Sequence, residues 1–269
     1  MPELPEVETT CRGVEPYLTK HIIESVTVHC GRLRWPVSDE IYKLRGELVL
    51  SVSRRAKYLI VELHHGALLI HLGMSGSLRL TPPSLPLKKH DHLVFSLSND
   101  KQLRFNDPRR FGSVLWTDDW TSHSLIRSLG PEPLEDDFNS DYLYQRAAGR
   151  KASIKQFLMD ASIVVGVGNI YANEALFLAG ISPKRSAGKI SLQRMGLLVK
   201  QIKEVLESAI KQGGTTLRDF VNSNGEPGYF KQQLFVYGRK GMPCKCCGGA
   251  LKEIRQNQRS TVYCMTCQK

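Results

Sequence analysis

Some residues of this chain have types and spacing that suit chemistry. Cys244, Cys247, Cys264 and Cys267 form two C-x2-C pairs separated by sixteen residues, the spacing of a tetrahedral four-thiolate zinc site. Four protein ligands leave no open position for water, so such a zinc would hold a fold and perform no catalysis. Cys246 permits a second register, C-x-C from 244 and 246; the paired knuckle with Gly248 and Gly249 behind it favours Cys247. A basic tail with incidental cysteines is the plain alternative. Between the knuckles, KEIRQNQRSTVYC predicts two strands joined around Gln256, Asn257 and Gln258. Arg259 then lies at or near a projecting tip, where a guanidinium could grip phosphate or simply be solvated.

The other chemical candidate is the start, MPELPEVETT. Proline suits the first turn of a helix, and Glu3, Glu6 and Glu8 complement its positive end. Pro2 and Pro5 therefore predict a helix running to about Tyr17. Removal of Met1 would also leave Pro2 as a free secondary amine beside the Glu3 carboxylate, a potential nucleophile with its own acid or base. The stretch alone fits both readings, and the ordinary helix start is the commoner of the two.

Basic and glycine-rich segments supply further candidates. RRAKY (54–58) and NDPRRFG (106–112) set cations at strand edges, where charge also protects an edge from aggregation. In DPRRFG, Arg109 and Phe111 alternate and face the same way, a cation beside an aromatic wedge of the kind that opens a base step. Met74, in HLGMSG, is a second apolar wedge. His71 and His90 lie in polar strand and loop contexts where structural hydrogen bonding is the usual role. VVGVGNIYANEALF (164–177) is not a dinucleotide fingerprint, because the third glycine would fall at Tyr171. It predicts a tight turn at Gly166 and Gly168, an N-cap at Asn169 and a helix ended by Gly180. Such a turn offers free backbone N–H groups to phosphate, or merely packs helix on helix.

The elements that must position these groups follow from composition and periodicity. With 269 residues and 41% hydrophobic content, the chain splits naturally into two or three parts. Its longest apolar runs, ALLI and SIVVGVG, are too short to span a bilayer. With no secretory signal at the start, the expected location is the cytoplasm. Lys and Arg number 37 against 26 Asp and Glu, a surplus of +11 that suits a polyanionic partner. From Lys231 to Lys269 there are eight basic residues against Glu253 alone. Short strand-like runs from about 46 to 117 predict an antiparallel sandwich. GPEPLEDDF (130–138) predicts a linker, and Leu192, Met195, Val199, Ile202, Leu206, Ala209 and Ile210 predict one helical face ending at Gly213 and Gly214. GGTTLRDFVNSNGEPGYF predicts a helix end, a short helix and a mobile loop.

PELPEVE, RRAKYL, HLGMSG, KHDH, DPRRFG, VVGVGNIYANEALF, GGTTLRDF, YGRKGMPC and the cysteine hairpin, in that order from residue 2 to 268, closely resemble the bacterial formamidopyrimidine-DNA glycosylases. The resemblance implies an α+β multidomain fold: an N-terminal antiparallel β-sandwich with a leading helix (1–130), a helix-two-turn-helix domain (131–230) and a zinc-finger hairpin (231–269). It implies a monomer carrying one structural Zn2+ and acting on double-stranded DNA that contains oxidised purines or abasic sites, in a bacterial cytoplasm, associated with the nucleoid through its DNA. By the same resemblance Pro2 is the nucleophile after Met1 is lost and Glu3 the acid/base at the sugar. Lys57 is a proton donor and phosphate contact, and Arg259 acts at the phosphate and in elimination. His90, Arg109 and Arg150 match DNA-contact positions, lysine being more usual at 150, and His71 joins them as a DNA-facing candidate. Lys155 and Asn169 would bind phosphates flanking the lesion. Met74, Arg109 and Phe111 would fill the gap left by the extruded nucleotide, with Arg109 facing the orphaned cytosine. The 213–230 loop would close over the extruded base.

Two alternatives are kept. An endonuclease VIII-like enzyme of the same architecture would prefer oxidised pyrimidines; Leu4 and the Met74, Arg109, Phe111 set favour the purine enzyme. A non-catalytic zinc-hairpin DNA-binding protein could share the scaffold, against which stand Pro2, Glu3 and Lys57.

Overall fold

The protein is described from a computed structural model in two compact units, Met1–Arg127 with Gln212–Tyr229 and Ser128–Lys211 with Phe230–Lys269. Within them residues 2–214 and 234–269 are described; the short helix and loop expected across 215–230 lie outside these.

In the first unit, helix α1 (Leu4–Leu18) buries Leu4, Val7, Cys11, Val14 and Leu18, spaced three and four apart so that they share one face. That face packs against strands β2 (Ser51–Arg55), β3 (Tyr58–Leu63) and β5 (Ser77–Thr81). Burying each such side chain is worth roughly 1.5–3 kcal/mol. β2 and β3 continue through β4 (Gly66–His71) to β8 (Ser113–Thr117) as one four-stranded antiparallel sheet. The second sheet has the order β1 (Ile23–Val28), β6 (Asp91–Leu97), β7 (Lys101–Asn106), β5. Both sheets contribute side chains to a single core that includes Leu59, Ile70, Phe95 and Phe105, which is the expected sandwich. β1 was not expected: only Ile23 of IESVTV is buried, so the strand lacks the apolar alternation by which strands are recognised.

The second sheet carries a buried ionic cluster on β5, β6 and β7. Arg79 Nη2 donates to Asp91 Oδ1 at 2.6 Å, and the same carboxylate accepts from Lys88 N–H at 2.9 Å and Asn106 Nδ2 at 2.8 Å. Arg104, 1% exposed, donates to the Leu85 and Pro86 carbonyls and to Gln102 Oε1. The strand-to-strand segment 82–90 is thereby tied to β7.

The second unit contains α3 (Ser140–Ala147), α4 (Ile154–Leu158), α5 (Asn169–Leu178), α6 (Leu192–Lys211) and the hairpin β9 (Lys252–Gln256) and β10 (Arg259–Tyr263), with the short α2 (Ser124–Arg127) closing the first unit. Along α6 the buried face is Met195, Leu198, Val199, Ile202, Val205, Leu206 and Ala209. Leu192, expected on that face, is 43% exposed, because it opens the helix before the apolar stripe turns inward. The expected linker is also corrected. Phe138 is fully buried, Gly130 N–H donates to the Ala161 carbonyl and Val165 N–H to that of Pro131, so 130–138 is a packed part of this unit. Among the described residues no helix is long and apolar enough to cross a membrane.

The ionic cluster yields a stability expectation. Burial pushes the Asp91 carboxyl up, but the bonds from Asn106, Lys88 N–H and Arg79 outweigh it and hold the group below its ordinary 3.8. Its stabilisation is therefore present above that value and lost as the pH falls through the lower folded value. Asp91→Ala, which strands Arg79, is expected to cost about 3–5 kcal/mol in denaturant unfolding at pH 7, and to flatten the acid limb of the stability profile.

Candidate functional site

The start of α1 is built around two buried carboxylates. Glu3 is the N-cap; its side chain accepts from Glu6 N–H, while Glu3 N–H donates to Glu6 Oε2 at 2.8 Å. This reciprocal capping box satisfies two of the helix's orphan donors and leaves both acids at its positive end. Pro2, just before the cap, is itself buried. Glu6 Oε1 also lies beside Gly214, where a Cβ would come within 3.1 Å of it. Glu8, one turn on, bonds Arg12 at 2.8 Å and Arg54 at 2.7 Å. Burial raises the Glu8 carboxyl, yet the two guanidiniums hold it below the ordinary carboxylate range.

Arg54 links that helix to the Lys57 turn. The β2–β3 ladder closes at Arg55 and Tyr58, leaving Ala56 and Lys57 as a two-residue turn with Ala56 at φ +55. Arg54 Nη1 donates to the Ala56 carbonyl at 3.0 Å while Nε holds Glu8. The turn bearing Lys57 is thus fixed to the same helix that bears Pro2 and Glu3.

Met74, Arg109 and Phe111 are brought together, although they come from two separate loops. Met74 is 37% and Phe111 46% exposed, and the Arg109 guanidinium lies 5.0 Å from the Phe111 ring centroid, a cation–π contact. Beneath them Gly73 (φ +63) abuts the second loop so closely that a Cβ would sit 2.4 Å from Gly112 N. His71, a DNA-facing candidate from the sequence, bonds within this arrangement. Its Nδ1 accepts the Gly73 N–H at 2.9 Å, and burial, with Lys57 and Arg34 nearby, pushes its pKa down to about 4. It is neutral at pH 7 and orders the Met74 turn. His90 occupies a left-handed conformation (φ +74) and meets His92 edge-on at 5.9 Å.

In the second unit, the four thiolates of Cys244, Cys247, Cys264 and Cys267 lie within 4.8 Å of one another, with Sγ separations of 3.9 Å (244 to 267) and 3.4 Å (247 to 264). Zn–S bonds of about 2.3 Å in a tetrahedron place sulfurs about 3.8 Å apart, so the set fits one structural zinc. Cys246 is exposed and outside the cluster, which resolves the register in favour of Cys247.

The hairpin between the two cysteine pairs closes in a two-residue turn, Asn257 (φ +46) and Gln258 (φ +61), the doubly left-handed geometry that matches strand twist. Arg259 is exposed directly after it and lines a pocket of about 480 Å³ with Gln256, Asn257 and Lys155. Lys155, expected as a phosphate contact, comes from α4. It is 1% exposed, and its ammonium donates to the Ser260 carbonyl at 2.9 Å and Thr261 Oγ1 at 2.6 Å, so it holds the hairpin strand that carries Arg259. Asn169 is not the N-cap: Gly168 occupies that place in extended geometry (φ −108), and Asn169 is the first helical residue. Gly166 (φ +77) makes the expected turn, and Gly180 (φ +66) ends the helix. Arg150 is exposed, following the end of α3.

Sequence reasoning missed the groups on α5 that dock this hairpin. Asn173 Oδ1 accepts Val262 N–H at 3.0 Å. Glu174 accepts three consecutive amides, Phe235, Val236 and Tyr237, at 2.7 to 2.9 Å. Burial pushes the Glu174 carboxyl up, against the pull of those donors. The available signal was an Asn-Glu pair inside the apolar helix IYANEALFL, where unpartnered polar groups would be costly.

Known proteins agree with this geometry. The chain matches the formamidopyrimidine-DNA glycosylase N-terminal domain over residues 1–114, the corresponding H2TH domain over 129–221, and a zinc finger found in FPG and IleRS over 241–269. It is 59% identical to a formamidopyrimidine-DNA glycosylase of Alcanivorax borkumensis and 58% to one of Escherichia coli, each over the full length of both chains. Among solved structures it is similar to a Lactococcus lactis FPG mutant in complex with Fapy-dG DNA (TM-score 0.92, 34% identity, all of both chains). It is also similar to Lactococcus lactis Fpg with abasic-site DNA (TM-score 0.91, 34%, 99% of both).

Chelating the metal is expected to release one zinc per chain by elemental analysis. In hydrogen exchange the amides of β9 and β10 should lose protection while those of β3 and β4 keep theirs, because the sandwich core owes nothing to the thiolates.

Proposed function

The chain belongs to the formamidopyrimidine-DNA glycosylase family, and from that premise we propose that it excises oxidised purines from double-stranded DNA and then cleaves the abasic strand. The observation that carries this reading is the capped start of α1: a proline followed by a buried carboxylate at the positive end of a helix, joined through Glu8 and Arg54 to the turn of Lys57.

In this reading Met1 is removed and Pro2 is the nucleophile. A free α-amine titrates near 8, low enough to supply a neutral fraction at pH 7, whereas lysine at about 10.4 would need far more tuning. The amine lone pair attacks C1′ and the damaged base leaves with the glycosidic electron pair, to be protonated from water. The attacking nitrogen gives up its proton to the Glu3 carboxylate, which delivers it to the sugar ring oxygen as the ring opens. The nitrogen now bears three carbons and no hydrogen, so it can form only a cationic iminium. That cation accepts electrons from the C2′–H bond as a base takes the proton, expelling first the 3′ phosphate and then, by a second proton loss, the 5′ phosphate. Lys57 and Arg259 are the cations assigned to these phosphates, Arg259 also assisting elimination.

Arg109, His90, Arg150 and Asn169 are the proposed DNA contacts, with Met74, Arg109 and Phe111 filling the vacated stack. Lys155 acts through the hairpin it holds. His71 acts through the Met74 turn. The zinc, held by Cys244, Cys247, Cys264 and Cys267, supplies a rigid base for Arg259 and no reactive water. The proposed functional divisions are 1–130, 131–230 and 231–269. The enzyme would work as a monomer in a bacterial cytoplasm, on nucleoid DNA.

The chain whose mass shows it to begin at Pro2 is expected to give a covalent adduct when borohydride is added with 8-oxoguanine DNA, since hydride reduces an iminium. No adduct would overturn the nucleophile. Excision of 8-oxoguanine opposite cytosine is expected to outpace that of thymine glycol; the reverse order would favour the oxidised-pyrimidine enzyme.

A further inference from the structure

Asp107 belongs to the DPRRFG segment, yet none of the roles above uses it. It is fully buried, and its partners come from both loops that carry Met74, Arg109 and Phe111. Oδ1 accepts from Ser75 Oγ at 2.8 Å and from Arg109 N–H at 3.3 Å, and Oδ2 accepts from Gly112 N–H at 2.8 Å. Ser75 Oγ in turn accepts from Arg109 N–H. The backbone of Asp107 is gripped as well: its carbonyl accepts from His92 Nε2 at 2.8 Å and from Arg110 N–H, and its N–H donates to the His90 carbonyl.

Each wedge residue thus bears, or is next to, a group that ends on this one carboxylate. Met74 is next to Ser75, Arg109 bears one of the amides, and Phe111 adjoins Gly112. Among the described residues the three side chains are exposed, so their loops are held from beneath, where the close approach of Gly73 to Gly112 leaves little room. A wedge forced into a base stack meets the resistance of the step it unstacks. If its mount yields, the loop moves and the stack stays closed.

We propose that Asp107 is the positioning residue that clamps both wedge loops into one rigid unit, and so sets the opening of the base step and the discrimination of the base opposite the lesion. The inference rests on the reading of Met74, Arg109 and Phe111 as the residues that fill the vacated stack. A carboxylate is required because the bonding partners of its side chain are all donors. In Asp107→Asn the amide nitrogen would face an N–H or O–H that needs an acceptor.

Asp107→Asn and Ser75→Ala test this on two duplexes, one with 8-oxoguanine and one with a preformed abasic site, where no base remains to be extruded. In Asp107→Asn, excision of 8-oxoguanine opposite cytosine is expected to fall about ten- to a hundredfold, abasic-strand cleavage to fall several-fold less, and the preference for cytosine over adenine as the opposite base to narrow. Ser75→Ala removes one hydroxyl and is expected to shift the same ratios by about three- to tenfold; it carries the test should the first variant not fold. Equal losses on both duplexes with the cytosine preference intact, or no change in either variant, would overturn the assignment to Asp107 alone. A wild-type protein that processes neither duplex would instead overturn the functional reading, and the assignment with it.

Discussion

A buried backbone N–H without an acceptor costs on the order of 1–3 kcal/mol, and the groups assigned to DNA chemistry here are mounted where the backbone leaves its ladder and raises that problem. The structure answers with polar side chains held inside the protein. Glu3 and Glu6 close the start of α1, Asp107 takes the amides of Arg109 and Gly112, Asn173 takes Val262 N–H and Glu174 takes three amides leading into the zinc finger. The buried acids that look like catalytic candidates by their burial alone are mostly occupied in this way. The exposed cations project from the turns that the buried groups hold.

The zinc hairpin shows the constraint most directly. Two strands cannot stabilise themselves in water, and β9–β10 has only a small cluster around Val236, Leu251 and Val262 for a core. Four thiolates fix its base. Lys155, Asn173 and Gln256 bond it to the helical unit along one strand and at its far end, Gln256 reaching Ser153 Oγ and the Pro183 carbonyl. Arg259 can then be exposed and still have a defined position, which a guanidinium on a free hairpin would lack.

Charge follows the same division. Among the described residues Arg79, Arg104 and Lys155 are buried and give their donors to carbonyls, a hydroxyl, an amide oxygen and Asp91, whereas Arg109, Arg150 and Arg259 are exposed. The net charge of +11 therefore does not by itself say which cations face a partner. His71 illustrates the same point for titration: its burial favours the neutral ring, which suits an acceptor for Gly73 N–H.

The sequence by itself determined what depends on near neighbours. Cysteine spacing defined the metal ligands, paired prolines and glutamates defined the helix start, and alternating apolar runs defined the strands from 51 to 117, because each signal repeats within a few residues. β1 escaped for the same reason, its alternation being weak. The order of the motifs defined the family. Only the tertiary structure decided which polar residues face outward. Lys155 bonds a residue 105 positions away, Asn173 one 89 away and Ser75 one 32 away. No local period encodes those pairings, since hydrogen-bond partners are chosen by which donors and acceptors the packed core leaves without water.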